Sequence, residues 1–529
     1  MPWLSVGEGV RIPFQPGMSV RDILDGTDHR VRSGCSGTGA CGLCLVRIEQ
    51  GSAGEPTQVE RLHLDHASLE EGLRLACQII ASEDLRITIV GRAPRPGWKR
   101  AVRRAVKEYG IFELEEVAAG VVHPLGIAVD LGTTFIGLSL WDLTSRRCVS
   151  DRQGVNPQAE HGSDVMTRLL SASRSEQKAR RLQELAFEAI GEALEDIGLR
   201  EGINLEQVVR IVLVGNTAML TLLGGTNHEL LLKPRYWTLP IDSPGHWLQR
   251  WPARHAIHPG ASVWVVPSLA GFVGSDLLAG VLSTEMTEKS EGALLIDFGT
   301  NTEIALWDGK SLWVSSAAGG PAFEGAGIGC GMPAERGAIF RITLENSILA
   351  FDVVDNAEPL GLCGSGLVDL LAVLVRSGRL DEAGRFLPTI PADGFVLSSA
   401  PPGIVLTKRD VDTIQRAKAA IATGVQILMA EAGQGGKQIK RLYVGGAFGQ
   451  WLDIANAQQI GLLPDIEATS IRLCGNTALA GCEDLLMSPS SVKSLERIRG
   501  CAKVVNLSDH DGFHDSFMEN LYLRRMKIG

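Results

Sequence analysis

The chain has 529 residues, of which 45% are hydrophobic and 21% charged, and its formal net charge at pH 7 is −10. The length predicts several domains with ordinary globular cores, and the negative charge argues against nucleic acid as the main partner. No apolar run approaches the ~18 residues of a membrane span, and the first residues lack a signal-peptide pattern. We therefore expect a cytoplasmic protein without a membrane span.

Four cysteines near the N-terminus form the first recognisable site. Cys35, Cys41 and Cys44 have the spacing C-x5-C-x2-C, and Cys77 follows after a long gap. Such a run with a distant fourth cysteine is typical of plant-type 2Fe-2S ligation, whereas zinc favours two close pairs. A disulfide framework is not expected in so long a chain without a secretory signal. The cysteines therefore predict a 2Fe-2S cluster and one-electron chemistry.

The first 91 residues are predicted to form a small domain around this cysteine loop. WLSV and VRIPF indicate a hairpin, Ser19 is placed to cap a helix over Val20–Leu24, and Leu85–Val90 suits a closing strand. Glycines between the cysteines would let backbone N–H groups turn toward the sulfides. The pattern resembles the β-grasp ferredoxins, and the long gap after Cys35 resembles their adrenodoxin-like branch. This resemblance makes the four cysteines the cluster ligands.

Residues 92–124 are predicted to be a basic linker. They include APRPGWKRAVRRAVK, in which two prolines favour an extended spacer. Docking of the basic end on an acidic surface is the alternative. Either interpretation separates an electron-carrying module from the remainder of the chain.

Two similar strand–turn–strand segments follow the linker. A buried strand (Ile127–Val129) leads to Asp130, and Asp297 holds the matching place in ALLIDFGTNTEIALWDG. Small and polar residues follow each aspartate: Gly132, Thr133, Thr134, Gly299, Thr300 and Asn301. Such turns present N–H and hydroxyl groups to phosphate oxygens, while the carboxylate can hold Mg²⁺ directly or through water. The duplication predicts a nucleotide bound between two lobes, with both aspartates as catalytic carboxylates.

These loops resemble those of the superfamily of acetate and sugar kinases, heat-shock chaperone ATPases and actin. The resemblance implies two ribonuclease-H-like lobes, residues 125–285 and 286–529, the second with a C-terminal return segment. It implies ATP with Mg²⁺ between them, and an adenosine loop after the strand Arg441–Val444. The candidate glycines for that loop are Gly445, Gly446 and Gly449. Glu303 and Glu324 are candidates to orient the attacking water, with a structural role as the open alternative.

The combination of a ferredoxin domain with ATPase lobes resembles the reductive activators of corrinoid-dependent enzymes. Matching stretches run through nearly the whole chain and include VGNTAM, PSLAGFVGSD, AAGGPAFEGAGIGCGM, GLCGSGLVDLL and GNTALAG. One departure is that the short linker leaves no room for the additional small domain that larger members carry before the ATPase lobes. The resemblance implies an α+β and α/β multidomain protein, with the β-grasp ferredoxin domain preceding the two-lobed ATPase.

The same resemblance implies a function. The protein would reduce a corrinoid protein of a methyltransferase system from cobalt(II) to cobalt(I), using ATP and an electron passed through the 2Fe-2S cluster. An upstream low-potential reductase or ferredoxin would supply the electron, and a homodimer is compatible with the family. Two alternatives stay open: a small-molecule kinase with a fused redox-sensing ferredoxin domain, and an electron-transfer protein whose ATPase fold is non-catalytic.

Overall fold

The computed structural model describes most of the chain in two compact units. One unit comprises Met1–Gly97 and Pro157–Ser171, and the other comprises Trp98–Asn156 and Ala172–Gly529. The described residues are 2–7, 9–25, 29, 31, 37–90, 98–99, 109, 121–242, 251, 255–345, 348–391, 393–398, 403–433, 439–446 and 451–526. Cys35, Gly449 and most of the predicted linker therefore lie outside the described residues.

The first unit is built on a small mixed sheet. Its elements in chain order are β1 (Trp3–Val6), β2 (Val10–Pro13), β3 (Met18–Ser19), α1 (Val20–Asp25), β4 (Leu45–Gln50), α2 (Gln58–His63), α3 (His66–Glu70), β5 (Leu73–Leu75), β6 (Ile80–Ala81) and β7 (Leu85–Ile89). The five-stranded sheet has the order β2-β1-β7-β4-β5, and β1 and β7 run parallel at its centre. Because a parallel pair needs a crossover, α1 and the cysteine loop lie between these strands in sequence. This is the predicted β-grasp arrangement.

The start of α1 shows how the sequence specifies this unit. The backbone N–H of Asp22 donates to Ser19 Oγ at 3.1 Å, so the predicted serine cap is present. Val20, Ile23 and Leu24 recur at helical spacing and are buried in the core of the unit. The predicted hairpin, helix and closing strand are all confirmed.

The second unit begins with a five-stranded sheet, which we call lobe I. Its elements are β8 (Leu125–Leu131), β9 (Phe135–Asp142), β10 (Arg147–Val155), α5 (Glu176–Glu201), β11 (Val208–Gly215), α6 (Thr217–Gly224), β12 (Ser262–Val265) and α7 (Ser275–Thr284). The helix α4 (Val165–Arg174) lies partly in the Pro157–Ser171 segment of the first unit. The sheet order is β10-β9-β8-β11-β12, an antiparallel meander extended by two parallel strands.

The rest of the second unit, which we call lobe II, repeats this plan. Its elements are β13 (Gly292–Phe298), β14 (Thr302–Trp307), β15 (Leu312–Ala317), β16 (Ala338–Glu345), β17 (Ile348–Val353), β18 (Gly361–Leu362), α8 (Gly364–Arg376), β19 (Phe395–Ser398), β20 (Ile404–Leu406), α9 (Lys408–Glu431), β21 (Ile439–Gly445), α10 (Ile454–Gln459), β22 (Ile471–Gly475), α11 (Thr477–Met487), α12 (Pro489–Cys501), β23 (Ala502–Val504) and α13 (Phe513–Asn520). The sheet order is β22-β21-β13-β14-β15-β23, again a meander followed by parallel strands. The predicted duplication is therefore a duplication of whole sheets.

Two helices join the lobes. Although α11 follows a strand of lobe II, it packs on the lobe I sheet, where Cys482 Sγ lies 3.3 Å from the carbonyl oxygen of Val212. It crosses α7 at glycine, since a Cβ added to Gly481 would lie 1.9 Å from the carbonyl oxygen of Ala279. At this crossing α7 also meets lobe II, since a Cβ added to Gly280 would lie 3.3 Å from Leu295 Cδ2 in β13. Across the described ranges, none of the helices combines the length and apolar character that crossing a membrane requires.

Candidate functional site

The two predicted phosphate loops meet at the cleft between the lobes. Thr134, in the turn after β8, and Thr300, in the turn after β13, have hydroxyl oxygens 2.7 Å apart. Glu324 lies beside both, with Oε2 2.6 Å from Thr134 Oγ1 and 3.0 Å from Thr300 Oγ1. The structure therefore brings the two loops together, although they are far apart in the sequence.

Four carboxylates, one buried (Glu303) and three half-buried, lie at the same end of the two sheets. Asp130 and Asp297 belong to β8 and β13, Glu303 to β14, and Asp276 to the first turn of α7. Burial raises the pKa of Asp130 to about 7 and that of Asp297 to about 6. Burial, together with the charges of Asp130 and Asp297, raises the pKa of Asp276 to about 7. Burial and the charges of Asp276 and Asp297 raise the pKa of Glu303 well above its ordinary value.

These shifts show that the carboxylates lie close enough to oppose one another's ionisation. A divalent cation with oxygen ligands would relieve that repulsion and restore the charged forms. The oxygen-only donor set is of the kind that Mg²⁺ prefers, but among the described residues no three such side chains converge tightly enough to hold an ion, so contacts with Mg²⁺ would run partly through water. The catalytic roles of Asp130 and Asp297 stay predictions, and Asp276 lies near enough for their charges to act on it.

Two asparagine caps hold the phosphate loops in place. Asn216 caps α6 and donates from Nδ2 to Thr133 Oγ1 at 2.8 Å. Asn476 caps α11 and donates from Nδ2 to Asp130 Oδ2 at 2.7 Å. Thr477, the next residue, donates its hydroxyl to Asp297 Oδ2. The start of α11 thus contacts the aspartates of both loops.

The remaining predicted loop residues have backbone roles in the structure. The carbonyl oxygen of Gly132 accepts from Asn156 Nδ2 at 2.8 Å, and the N–H of Gly299 donates to the carbonyl oxygen of Asn301 at 3.1 Å. A Cβ added to Gly132 would lie 2.5 Å from the carbonyl oxygen of Phe135, so the first turn requires glycine there. Their contacts with phosphate stay predictions.

Gly445 and Gly446 lie against the second phosphate loop. A Cβ added to Gly445 would lie 2.8 Å from the carboxyl carbon of Asp297. Gly446 has a φ of +85°, and a Cβ there would lie 2.0 Å from the carbonyl oxygen of Phe298. Both glycines therefore permit the close approach of β21 to the Asp297 loop, and their predicted contact with adenosine stays a prediction.

In the first unit, three of the four predicted cluster ligands are described. A hydrogen bond to Cys77, burial and the charge of Cys77 together raise the pKa of the Cys44 thiol far above its ordinary range, and the charge of Cys41 adds to the shift. The three sulfurs are therefore neighbours. None of the three forms a disulfide. Thiolates packed this closely would repel one another, and bound iron would relieve that repulsion by sharing their charge.

The backbone around these cysteines forms a cradle. Three glycines of the loop have positive φ angles: Gly37 (+87°), Gly39 (+83°) and Gly42 (+71°). Side chains would not fit there, since a Cβ on Gly42 would lie 2.7 Å from His63 Nδ1. His63 Nε2 also lies 2.8 Å from the carbonyl oxygen of Gly39, and Gln78 Nε2 donates to Cys77 Sγ at 3.4 Å. The residues present thus fit a 2Fe-2S cluster.

Sequence reasoning did not single out Asp276, Asn216, Asn476 or Thr477 as site residues. A signal was present in the repeat Gly-Asn-Thr-Ala, which occurs after β11 and again after β22. Matching strings at matching places in two lobes indicate equivalent helix starts. The sequence GSD at the start of α7 carries no comparable signal, because the place of Asp276 depends on how α7 packs.

The fold and site define a ferredoxin-type iron–sulfur unit joined to a two-lobed ATPase unit of the actin and sugar-kinase type. Models of known families match in the same order along the chain. The 2Fe-2S iron-sulfur cluster binding domain matches residues 4–82, the RACo middle region residues 125–289, and the C-terminal ASKHA domain of RACo residues 291–529.

Similar proteins give the same result. The corrinoid activation enzyme RamQ of Eubacterium limosum is 31% identical over 416 residues, which are 75% of this chain and 70% of that protein. The Co(II) methylated amine-specific corrinoid protein reductase of Methanosarcina barkeri is 27% identical over 402 residues, 70% of this chain and 72% of that protein. A solved reductive activator for a corrinoid, iron-sulfur protein is 26% identical with a TM-score of 0.68, and the match covers 100% of this chain and 99% of that one. The chain belongs to the RACo family of corrinoid reductive activators, as its motifs predict.

Proposed function

We propose that this protein uses ATP to reduce the cobalt(II) form of a corrinoid protein to cobalt(I), with the electron delivered through its N-terminal unit. The observation that carries the proposal is the presence, in one chain, of converging thiols in a ferredoxin fold and of two phosphate loops meeting beside four carboxylates. The names of its relatives support a corrinoid protein as the partner. A methyltransferase system is the expected setting of that partner.

The energetics explain why both units are needed. Plant-type 2Fe-2S clusters have potentials near about −400 mV, and the cobalt(II)/cobalt(I) couple is expected to be more negative. A one-electron deficit of a few hundred mV corresponds to several kcal/mol, at about 1.4 kcal/mol per 59 mV. One ATP hydrolysis can offset such a deficit. It can do so only if ATP favours one state of the protein over another, because a ligand that binds both states equally shifts nothing.

In the first unit, Cys35, Cys41, Cys44 and Cys77 would hold the cluster. When bound, a 2Fe-2S cluster supplies one-electron transfer at low potential. Gln78 would stabilise negative charge on the Cys77 sulfur through its amide donor, and His63 would hold the loop in its cradle. We expect an upstream low-potential reductase or ferredoxin to supply the electrons.

In the second unit, the two loops would hold ATP. Thr133, Thr134, Thr300 and the loop N–H groups would donate to phosphate oxygens. The carboxylates Asp130, Asp276 and Asp297 would hold Mg²⁺ directly or through water. Glu303, whose ionisation burial and the charges of Asp276 and Asp297 oppose, would orient the attacking water. Because the loops belong to different lobes, phosphate binding would favour the closed state of the lobes.

The direct experiment combines the purified, cluster-loaded protein with a cobalt(II) corrinoid protein, a low-potential reductant and Mg-ATP. Cobalt(I), followed by its absorption, should form only when ATP is present. Cobalt(I) formation that is indifferent to ATP would contradict the coupling. A phosphorylated small molecule, found with ADP in the absence of a corrinoid protein, would instead revive the kinase alternative.

Two variants separate the units. Cys41→Ala should abolish cobalt(I) formation and leave ATP binding intact. Asp297→Asn should weaken ATP binding and so also abolish cobalt(I) formation, but it should leave the 2Fe-2S cluster reducible. Cys501→Ala, in α12 of lobe II, is a matched control and should behave like the unaltered protein. Size-exclusion chromatography with light scattering would test the homodimer that the resemblance predicts.

A further inference from the structure

Glu324 joins the phosphate loops of both lobes through one oxygen atom. It ends a short 3-10 turn, Pro321–Glu324, in the segment after β15. Its Oε2 accepts from Thr134 of lobe I at 2.6 Å and from Thr300 of lobe II at 3.0 Å. These two hydroxyls are the groups that the proposed ATP site offers to phosphate.

The number of protons shared by Glu324, Thr134 and Thr300 decides which oxygen accepts the hydrogen bonds. Three oxygens approach one another within 2.6 to 3.0 Å, and only the two threonine hydroxyls carry protons when the carboxyl is ionised. The favourable arrangement has both hydroxyls pointing at the carboxylate oxygen, which carries the charge. A phosphate oxygen has the same charge and accepts hydrogen bonds in the same way. Glu324 and a phosphate group of ATP therefore compete for the same two donors.

The segment that carries Glu324 is held at its far end. Gly325, directly after the turn, has a φ of +78°, and a Cβ there would lie 2.4 Å from the carbonyl oxygen of Met332. Further along, the N–H of Gly329 donates to Asp410 Oδ1 at 2.7 Å, which fixes the segment to the first turn of α9. When a phosphate group takes the hydroxyls, the turn Pro321–Glu324 must yield while these anchors hold. Nucleotide binding would thus change this turn specifically.

We propose that Glu324 is a positioning residue that imitates a phosphate oxygen. It ties the two lobes together through Thr134 and Thr300 until a phosphate of ATP replaces it. The lobes then stay joined by the nucleotide while the carboxylate is released. This inference rests on the proposed ATP site and adds a residue that couples the state of that site to lobe II.

The first test measures affinity for Mg-AMPPNP, a non-hydrolysed ATP analogue, by titration calorimetry. Glu324→Gln keeps the size of the side chain and removes its charge, so the analogue meets a weaker competitor. We expect its Kd to fall about tenfold, which corresponds to about 1.4 kcal/mol. Glu358→Gln, which changes an exposed carboxylate of lobe II, is the matched control and should leave the Kd unchanged.

The second test uses hydrogen–deuterium exchange of the two phosphate loops, with Glu324→Ala. Without nucleotide, the loop amides of this variant should exchange at least tenfold faster than those of the unaltered protein, because the hydrogen bonds from Thr134 and Thr300 to Glu324 are lost. Adding Mg-AMPPNP should restore their protection, a rescue that general destabilisation would not give. Melting temperatures of both variants identify any loss of folding.

The outcomes separate the two proposals. If the unaltered protein binds AMPPNP and Glu324→Gln binds it with the same Kd, the inference is wrong and the ATP site stands. If hydrolysis falls while the Kd and loop exchange stay unchanged, Glu324 orients water instead, and the inference is again wrong. If neither the unaltered protein nor Glu358→Gln binds AMPPNP, the proposed ATP site itself fails.

Discussion

Asp276 offers a test of the acidic cluster that needs no nucleotide. Its carboxyl lies at the start of α7, where burial and the charges of Asp130 and Asp297 raise its pKa from 3.8 to about 7. The native state therefore binds a proton more tightly than the unfolded state. The stability that this proton gives is complete below about pH 4 and is lost as the pH rises through about 7. In metal-free buffer at pH 8, ionised Asp276 should destabilise the fold.

Asp276→Asn should remove this penalty. The amide oxygen can keep the hydrogen bond from the N–H of Leu277, now 2.8 Å from Asp276 Oδ1. A shift of about three pKa units corresponds to about 4 kcal/mol, at 1.36 kcal/mol per unit. Burial is the largest cause of the shift and Asp276 is only half-buried, so solvent screens part of the penalty and we expect a net gain of about 2 kcal/mol. For a unit of more than 400 residues that is a rise in Tm of about 2 °C.

Differential scanning calorimetry in EDTA at pH 8 and pH 5 would measure the rise in Tm of Asp276→Asn. The gain should appear at pH 8 and largely disappear at pH 5, where Asp276 already carries its proton. Added Mg²⁺ with AMPPNP should raise the Tm of the unaltered protein more than that of the variant, because the variant has lost a metal-binding group. Asp511→Asn, at an exposed carboxylate, should show none of these effects. An equal gain at both pH values would refute the argument, since it could not come from this titration.

Three further changes test the packing around the site. Asn476→Ala should lower the free energy of unfolding by about 1 kcal/mol, because α11 loses its cap, and should also lower ATPase kcat. Asn476→Asp keeps the cap and loses only the donor to Asp130. Denaturant unfolding and steady-state kinetics would separate the two effects. Gly481→Ala should lower the Tm because its Cβ would strike the carbonyl of Ala279, while Gly500→Ala, with open space around it, should raise it slightly. Glu60→Ala should destabilise the first unit by about 3–5 kcal/mol, because the buried Arg74 guanidinium loses its carboxylate partner. On heating, the absorption of the cluster should then disappear at a lower temperature.

The sequence was sufficient for the features that local patterns determine. The β-grasp strands, the Ser19 cap and the two aspartate loops depend on short-range spacing, and all are present. The family and its two kinds of unit were also predicted, because long motifs carry them.

The features that the sequence did not reveal depend on tertiary packing. Asp276 joins the acidic cluster only because α7 crosses α11 at glycine. Glu324 had two open interpretations, and its contact with Thr134 arises between segments that belong to different lobes. Neither relation leaves a periodic pattern in the chain. The repeated Gly-Asn-Thr-Ala string was visible, but its meaning depends on knowing that both copies follow parallel strands that end at the cleft.

The position of α11 gives a physical basis for coupling ATP to partner chemistry. The helix follows a strand of lobe II and packs on the sheet of lobe I, so it belongs mechanically to both. Its first residues contact both loops, Asn476 through Asp130 and Thr477 through Asp297. Any change in the charge of either aspartate, by metal binding or phosphate release, therefore acts on one rigid element shared by the lobes. A ligand that alters these contacts has different affinities for the open and closed lobes, which is the condition that ATP-driven reduction requires.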